Sequence, residues 1–506
     1  MNLEEKIGQL FMFGFAGREV TPGLAEFTAR YRPAGFIYFG RNIHNPASAR
    51  RLSEDLCALA RRLGMPPLLI AADQEGGPVL RLRQGATPIP SAMALGASGD
   101  AGLVEAAAHL AARELLAVGI NMNLAPVLDV NNNPANPVIG IRSLGGDPAQ
   151  VAKLGVAAVR GCQRAGVLST AKHFPGHGDT HLDSHHHLPT IGHPRSRLAQ
   201  VELVPFEAAV GAGVEAVMTA HIVYPELEPG LPATISAAAI QGLLRSELGF
   251  GGLVVTDCME MAAIQDGWGT ARASLLAIEA GADLVLISHQ PALQEAAFQG
   301  VLQAARSGEL SLNRIDASVR RVLQAKERRT APWPDLSAVG GRDSLQWAEE
   351  AFARTITLVR ASPVFPLCGE VLVTVADASQ PTQVEDPVRA SLARALARHL
   401  RVREVRLEEL DAWPRQLPVV IGTANLRPAS ELAGRILAAA RVRPTVVLAM
   451  HGPYDLLALP SIETYLCSYS QQELALAAAA NVIAGRARPS GSVPVELPGL
   501  APLVSQ

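Results

Sequence analysis

Aromatic residues are scarce in this chain, at 4% of 506 positions, so a core has to be built mainly from aliphatic side chains within an apolar share of 48%. That share is ample for a packed interior and argues against disorder. Cysteine is scarce too. Cys57, Cys162, Cys258, Cys368 and Cys467 are odd in number, far apart and without a C-x-x-C pair. A disulfide framework or a thiolate zinc site is therefore not expected, and a reducing compartment fits best. The formal charge is only −3 and no long basic run occurs. Short Arg-rich pieces such as Arg401–Arg406 read as solvated faces, so no nucleic-acid partner is expected. No apolar run approaches the roughly 18 to 20 residues that cross a bilayer. The N-terminus, MNLEEKIGQL, is acidic where a secretory signal would be basic and then apolar. The expectation is a cytoplasmic protein with no membrane partner.

What is present is periodic. Apolar runs at Gln9–Phe15, Gly35–Phe39, Leu68–Asp73, Asn121–Val127, Leu168–Phe174, Ala216–Ile222, Gly252–Asp257 and Ala282–Ser288 read as strands. Most are continuous rather than alternating, as parallel strands buried on both faces should be. Helical stretches such as Ala47–Leu63, Asp100–Val118, Pro148–Ala165, Arg197–Ala212 and Thr270–Ala280 lie between them. Eight strand–helix units predict an α/β fold, a (β/α)8 TIM-type barrel over residues 1–330, with a doubly wound open sheet as the other possibility. The Pro- and Gly-containing run Thr330–Asp343 marks a boundary, and the linker is set at residues 331–345. Residues 346–506 read as a smaller C-terminal α/β sheet domain. Its strands are expected at Val371–Ala376, Val419–Ala424, Thr445–Met450 and Tyr465–Tyr469, and its helices near Pro387–His399, Ser430–Arg441 and Gln471–Gly485. It carries no P-loop, no G-x-G-x-x-G and no acid–base cluster, so a structural role is expected.

A barrel places functional groups at the C-terminal ends of its strands. Ionisable residues fall there repeatedly: Asp73, Asp129, Lys172, His173, His221 and Asp257. Beyond the fifth strand the segment Lys172–Pro189, KHFPGHGDTHLDSHHHLP, packs six of the thirteen histidines and two aspartates into eighteen residues. Asp257, a short carboxylate at a strand tip, can attack an anomeric carbon and carry a glycosyl ester. That route needs a proton donor, and His185, two residues after Asp183, can supply one that titrates near neutrality. Asp73 and Arg81 are spaced to hold adjacent sugar hydroxyls, and Arg142 is a second fork-shaped donor. The competing chemistry is zinc, since His177, His181, His185 and His187 with Asp179 and Asp183 offer many ligands. Pro175, Gly176, Gly178 and Pro189 argue against the helix that would align them, and no H-E-x-x-H occurs. The glycines and Pro175 also suggest a segment that can move, with two positions for His185.

Seven motifs in order resemble glycoside hydrolase family 3, specifically its β-N-acetylglucosaminidase branch. They are LEEKIGQLFMFGF at Leu3–Phe15, DQEGG at Asp73–Gly77, NLAPVLDV at Asn123–Val130, RSLGGDP at Arg142–Pro148, KHFPGHGDTHLDSH at Lys172–His185, MTAHI at Met218–Ile222 and GGLVVTD at Gly251–Asp257. The resemblance implies Asp257 as nucleophile, His185 as acid/base and Asp183 as its dyad partner. It implies Asp73, Arg81, Arg142, Lys172 and His173 as the grip on N-acetylglucosamine. It implies no cofactor and no metal, and a small carbohydrate substrate, a GlcNAc-terminated glycoside or muropeptide from peptidoglycan turnover or recycling. Pro78 stands where this branch commonly has Arg, and Cys258 directly follows the nucleophile position. Three rivals remain: a β-N-acetylglucosamine phosphorylase using the same residues, a non-catalytic sugar-binding protein, and a zinc hydrolase.

Overall fold

The computed structural model of the chain describes residues 1–329, 332–379, 385 and 389–499. Eight parallel strands close into a barrel: β1 (Phe11–Phe13), β2 (Gly35–Tyr38), β3 (Leu69–Ala72), β4 (Met122–Asn123), β5 (Leu168–Phe174), β6 (Ala216–Thr219), β7 (Leu253–Cys258) and β8 (Leu284–Ile287). Each pairs with its sequence neighbours, and β1 closes on β8 through Phe11↔Val285. The eight expected runs all supply strands, because residues buried on both faces must be apolar throughout. Met12, Ile37, Leu69, Met122, Leu168, Met218, Val255 and Leu286 fill the lumen, so the barrel is a packed core and not a pore. At the N-terminal mouth, the helix Leu312–Glu327 packs Val322 and Ala325 against this cluster.

Two expected elements break at prolines. The fourth run yields only the two residues of β4, plus a bridge from Val127 to Lys172, because Pro126 has no N–H to give the ladder. The helix expected over Arg197–Ala212 is two helices, Arg195–Gln200 and Val204–Gly211, since Pro205 cannot continue a helix but suits the first turn of a new one.

The C-terminal sheet has six strands: β9 (Thr357–Arg360), β10 (Glu370–Asp377), β11 (Arg401–Glu404), β12 (Val419–Ala424), β13 (Thr445–Ala449) and β14 (Thr464–Cys467), in the order 9-14-13-12-10-11. The four expected strands are its centre, and β9 and β11 are its edges. The Arg-rich piece read as a solvated face is thus an edge strand, whose charges keep an open hydrogen-bonding edge from recruiting another chain. The helix expected near Pro387–His399 is seen as Leu392–Leu396; Pro387 and Val388 lie outside the described residues, as do Thr330 and Ala331 of the expected boundary. Among the described residues no helix is long and apolar enough to cross a membrane.

The two sheets meet where the strand-tip loops of the barrel need support. The Gln472 amide donates to the Gly77 carbonyl (2.8 Å), Ser91 Oγ to the Tyr469 carbonyl (3.0 Å), and the Asn131 amide to Tyr454 Oη (2.8 Å).

Candidate active site

The β3 tip leads into an antiparallel ribbon, Gln74–Gly76 against Val79–Leu80. Its turn needs positive φ at Gly76 (108°) and Gly77 (58°), and a Cβ on Gly77 would stand 2.5 Å from Ser91 Cβ, so only glycine fits. Pro78 completes this turn. The ribbon projects Asp73, Glu75 and Arg81 toward the C-terminal mouth, where Lys172 arrives from β5 and Arg142 from the loop after β4.

These five residues form one ion network. Lys172 Nζ lies 2.8 Å from Asp73 Oδ1 and 2.7 Å from Glu75 Oε1, with 2% of its side chain exposed. Arg142 forks onto Glu75 through Nε (2.9 Å) and Nη2 (2.8 Å), and its Nη1 donates to the Val138 carbonyl (3.0 Å). Arg81 stands 3.6 Å from Asp73 Oδ2. Burial would raise the carboxyl of Glu75, but Arg142 and Lys172 outweigh it and hold the group far below the usual carboxylate range. Against the same burial, Asp73 and Glu75 raise Lys172. Two carboxylates and three cations leave a floor that is net positive and already internally bonded. Three of the N–H groups expected to make Arg142 a ligand donor are thus engaged by Glu75 and Val138. Glu75 itself was not singled out from the sequence; its signal was the two-residue spacing from Asp73, which puts both carboxylates on one face of an extended segment.

Two imidazole–carboxylate pairs stand at the end of β5 and in the loop beyond it. His173 Nδ1 bonds Asp129 Oδ2 at 2.7 Å, and Asp129 Oδ1 accepts the backbone N–H groups of His173 (3.2 Å) and His177 (2.7 Å). Asp129 is fully buried, and despite burial the His173 imidazole and the N–H groups of His173 and His177 keep its pKa low. The second pair is more open: His185 Nδ1 meets Asp183 Oδ1 at 2.6 Å, with 16% and 17% of the side chains exposed. Burial raises the Asp183 carboxyl, but the His185 imidazole and N–H pull it below its ordinary value. Between the pairs His177 is clamped, Nδ1 to Thr180 Oγ1 (3.1 Å) and Nε2 to Ser184 Oγ (3.0 Å), and burial pushes it down to about 4, so it is neutral. Two further loop groups have separate partners: Asp179 bonds His193 (2.7 Å) and His181 bonds Asn133 (3.2 Å).

Asp257 lies at the end of β7, half-buried, its Oδ1 accepting the Cys258 N–H at 2.7 Å. Burial works against its charge, yet His221, His173 and His185 hold its pKa at about 2, so it is ionised at any ordinary pH. His221 is itself bonded to Thr234 Oγ1 (2.8 Å) and to the Cys258 carbonyl (3.0 Å). The Cys258 thiol is pushed up to about 12 by burial and by Glu260, which makes it a poor nucleophile.

A cavity of about 480 Å³ opens among these groups, lined by Asp73, Arg81, Arg142, Lys172, His173, His185 and Asp257. It is large enough for a sugar ring and part of a neighbour. Of the eight residues expected from sequence, only Asp183 is behind the wall, bonded to His185. The same wall carries Cys258, Glu260 and His289, whose ligand atoms lie within 4.8 Å of one another.

A solved β-N-acetylglucosaminidase of glycoside hydrolase family 3 from Paenibacillus sp. str. FPU-7 is 41% identical, with a TM-score of 0.92 over 98% of this chain and 99% of that one. A curated β-hexosaminidase A of Pseudoalteromonas piscicida is 36% identical over 374 residues, 68% of this chain but 62% of its own length, so the match spans less than two-thirds of that relative. A β-glucoside phosphorylase, 24% identical with a TM-score of 0.84, shares the fold. Residues 2–325, the span that builds the barrel and every side chain of the cavity wall, match the glycosyl hydrolase family 3 N terminal domain, and the chain belongs to that family.

Proposed function

We propose that this chain is a retaining exo-β-N-acetylglucosaminidase that removes terminal N-acetylglucosamine from peptidoglycan-derived fragments. The observation that carries the reading is the pairing, on one cavity wall, of a carboxylate held ionised, Asp257, with a half-open imidazole–carboxylate pair, His185–Asp183. The likeness to the Paenibacillus enzyme over the whole chain supports the sugar; the peptidoglycan setting rests on family resemblance.

In this reading Asp257 attacks the anomeric carbon while protonated His185 gives its Nε2 proton to the departing glycosidic oxygen. The Nδ1–H stays on Asp183, which fixes the ring and stabilises the imidazolium. Neutral His185 then takes a proton from water as that water opens the glycosyl ester, restoring both groups. Asp73, Arg81, Arg142, Lys172 and His173 hold the sugar, with Glu75 fixing the two inner cations and Asp129 orienting His173.

Turnover of an aryl β-N-acetylglucosaminide tests the assignment: Asp257→Ala should abolish it, and wild-type-like turnover would sink the reading. The phosphorylase alternative is favoured by one feature, an acid/base that carries no negative charge to repel phosphate. Mass spectrometry of the product formed in phosphate buffer separates the two, as GlcNAc from hydrolysis or GlcNAc 1-phosphate from phosphorolysis.

A further inference from the structure

We propose that Cys258, Glu260 and His289 bind one thiophilic divalent cation, such as Zn²⁺, on the wall of the catalytic cavity, and that its occupation inhibits the enzyme. The three ligand atoms lie within 4.8 Å of one another, and Cys258 Sγ is 3.5 Å from Glu260 Oε2. Tetrahedral zinc with Zn–S of about 2.3 Å and Zn–O of about 2.1 Å sets those two ligands about 3.6 Å apart, so this edge of the site is already at the right length. One thiolate, one imidazole and one carboxylate suit zinc or cobalt better than calcium or magnesium. Binding breaks the Sγ–H bond, forms Sγ–metal and releases the proton to solvent, so that two anionic ligands balance a dication without redox change. The cavity offers the fourth position to water.

The ligands are held in place by groups other than the metal. The Cys258 carbonyl accepts from His221 Nε2 at 3.0 Å. Glu260 accepts the backbone N–H groups of Ser288 (2.6 Å), His289 (2.7 Å) and Gln290 (2.7 Å), which ties the carboxylate to the segment carrying the imidazole. One group opposes the cation. Arg41 places Nη1 3.1 Å from His289 Nδ1, anchored by Nη2 on the Ser288 carbonyl (2.6 Å) and Nε on the Phe15 carbonyl (3.0 Å). A metal must bear the guanidinium charge beside the imidazole, so Arg41 weakens the site. Inhibition follows from place: Cys258 adjoins Asp257 and shares its wall, where a dication obstructs the sugar and draws on the carboxylate.

The test uses the full chain after chelator treatment. Titration with Co²⁺ should give a thiolate-to-cobalt charge-transfer band that saturates at one equivalent and is displaced by Zn²⁺. Cys258→Ser should abolish the band and weaken zinc binding at least about tenfold, the low end of what losing a supporting contact costs a metal site. His289→Ala, at an exposed position, should weaken binding likewise, and Arg41→Gln should tighten it. Zinc inhibition, measured against each variant's own metal-free rate, should move in parallel. No band in the wild type, or a band and zinc inhibition that survive in Cys258→Ser, would overturn the site. The titration needs no turnover, so it stands or falls separately from the proposed reaction, on which only the inhibition arm rests.

Discussion

Lys172 and Lys326 are equally buried, at 2% exposure each, and sit at opposite mouths of one barrel. Lys172, at the C-terminal mouth, meets Asp73 and Glu75 and is raised above the ordinary lysine value. Lys326, at the N-terminal mouth, meets among the described residues only the amide oxygen of Gln9, at 2.5 Å, and burial lowers it to about 7. Desolvation is shared; the carboxylates are not. The contrast teaches that burial alone does not mark a working charge. A charge kept charged by a built counter-charge lattice can grip a ligand, whereas one left to lose its proton serves packing.

The sharpest way to break this comparison is to remove each ammonium in turn. Lys172→Met leaves two buried carboxylates short of a cation and should cost roughly 3–5 kcal/mol in denaturant unfolding. It should also lower kcat/KM by on the order of a hundredfold or more, as misplacement at the floor of a site does. Lys326→Met should leave kcat/KM within about twofold. A comparable activity loss in both variants would show that the two mouths do not differ as argued.

Next in size is the open imidazole. His185→Ala should lose roughly 10²–10⁴-fold on substrates with poor leaving groups and far less on activated aryl ones, which depart without full protonation. Equal losses on both classes would refute the acid role and leave Asp183–His185 no different in kind from the buried Asp129–His173 pair.

Lys326 also gives the comparison a pH signature. Its folded value of about 7 lies below the unfolded value near 10.5, so between those limits the unfolded chain binds more protons. Stability from this group therefore rises with pH, by at most about 1.4 kcal/mol per pH unit, and the penalty is full below about 7 and gone above about 10.5. Denaturation from pH 7 to 10 should show that slope in the wild type and a smaller one in Lys326→Met. An unchanged slope would place the titration elsewhere.

The same contrast explains what could be read from sequence. The barrel was legible because buried parallel strands are continuous apolar runs, and β4 shrank because Pro126 withholds a donor. Edge strand β11 carries charges that mimic a solvated face, and edge strand β9 is only four residues long, so periodicity found neither. At the site, the residues brought to one cavity were visible as ionisable groups at strand tips. What they do to one another was not. That Glu75 engages Lys172 and Arg142, that Asp129 gathers three N–H groups, and that Lys326 meets the Gln9 amide instead of a carboxylate among the described residues are facts of spatial pairing between segments up to hundreds of residues apart, on which spacing along the chain is silent.

The smallest effect concerns how the open pair is held. Mobility of His185 was expected from the glycines and Pro175, yet the near half of the loop is fastened: Asn136 donates to the carbonyls of His177 (2.8 Å) and Gly178 (3.0 Å), and Asp129 takes the His177 N–H. The link to the far half through these groups is His177 Nε2 to Ser184 Oγ, one residue before His185. Ser184→Ala removes that single bond, worth about 0.5–1.5 kcal/mol. It should lower kcat severalfold on poor leaving groups with KM little changed, and speed amide exchange over residues 181–187 while leaving 173–178 protected. Exchange that speeds equally in both halves would mean the loop moves as one body, and that the buried pair does not anchor the open one.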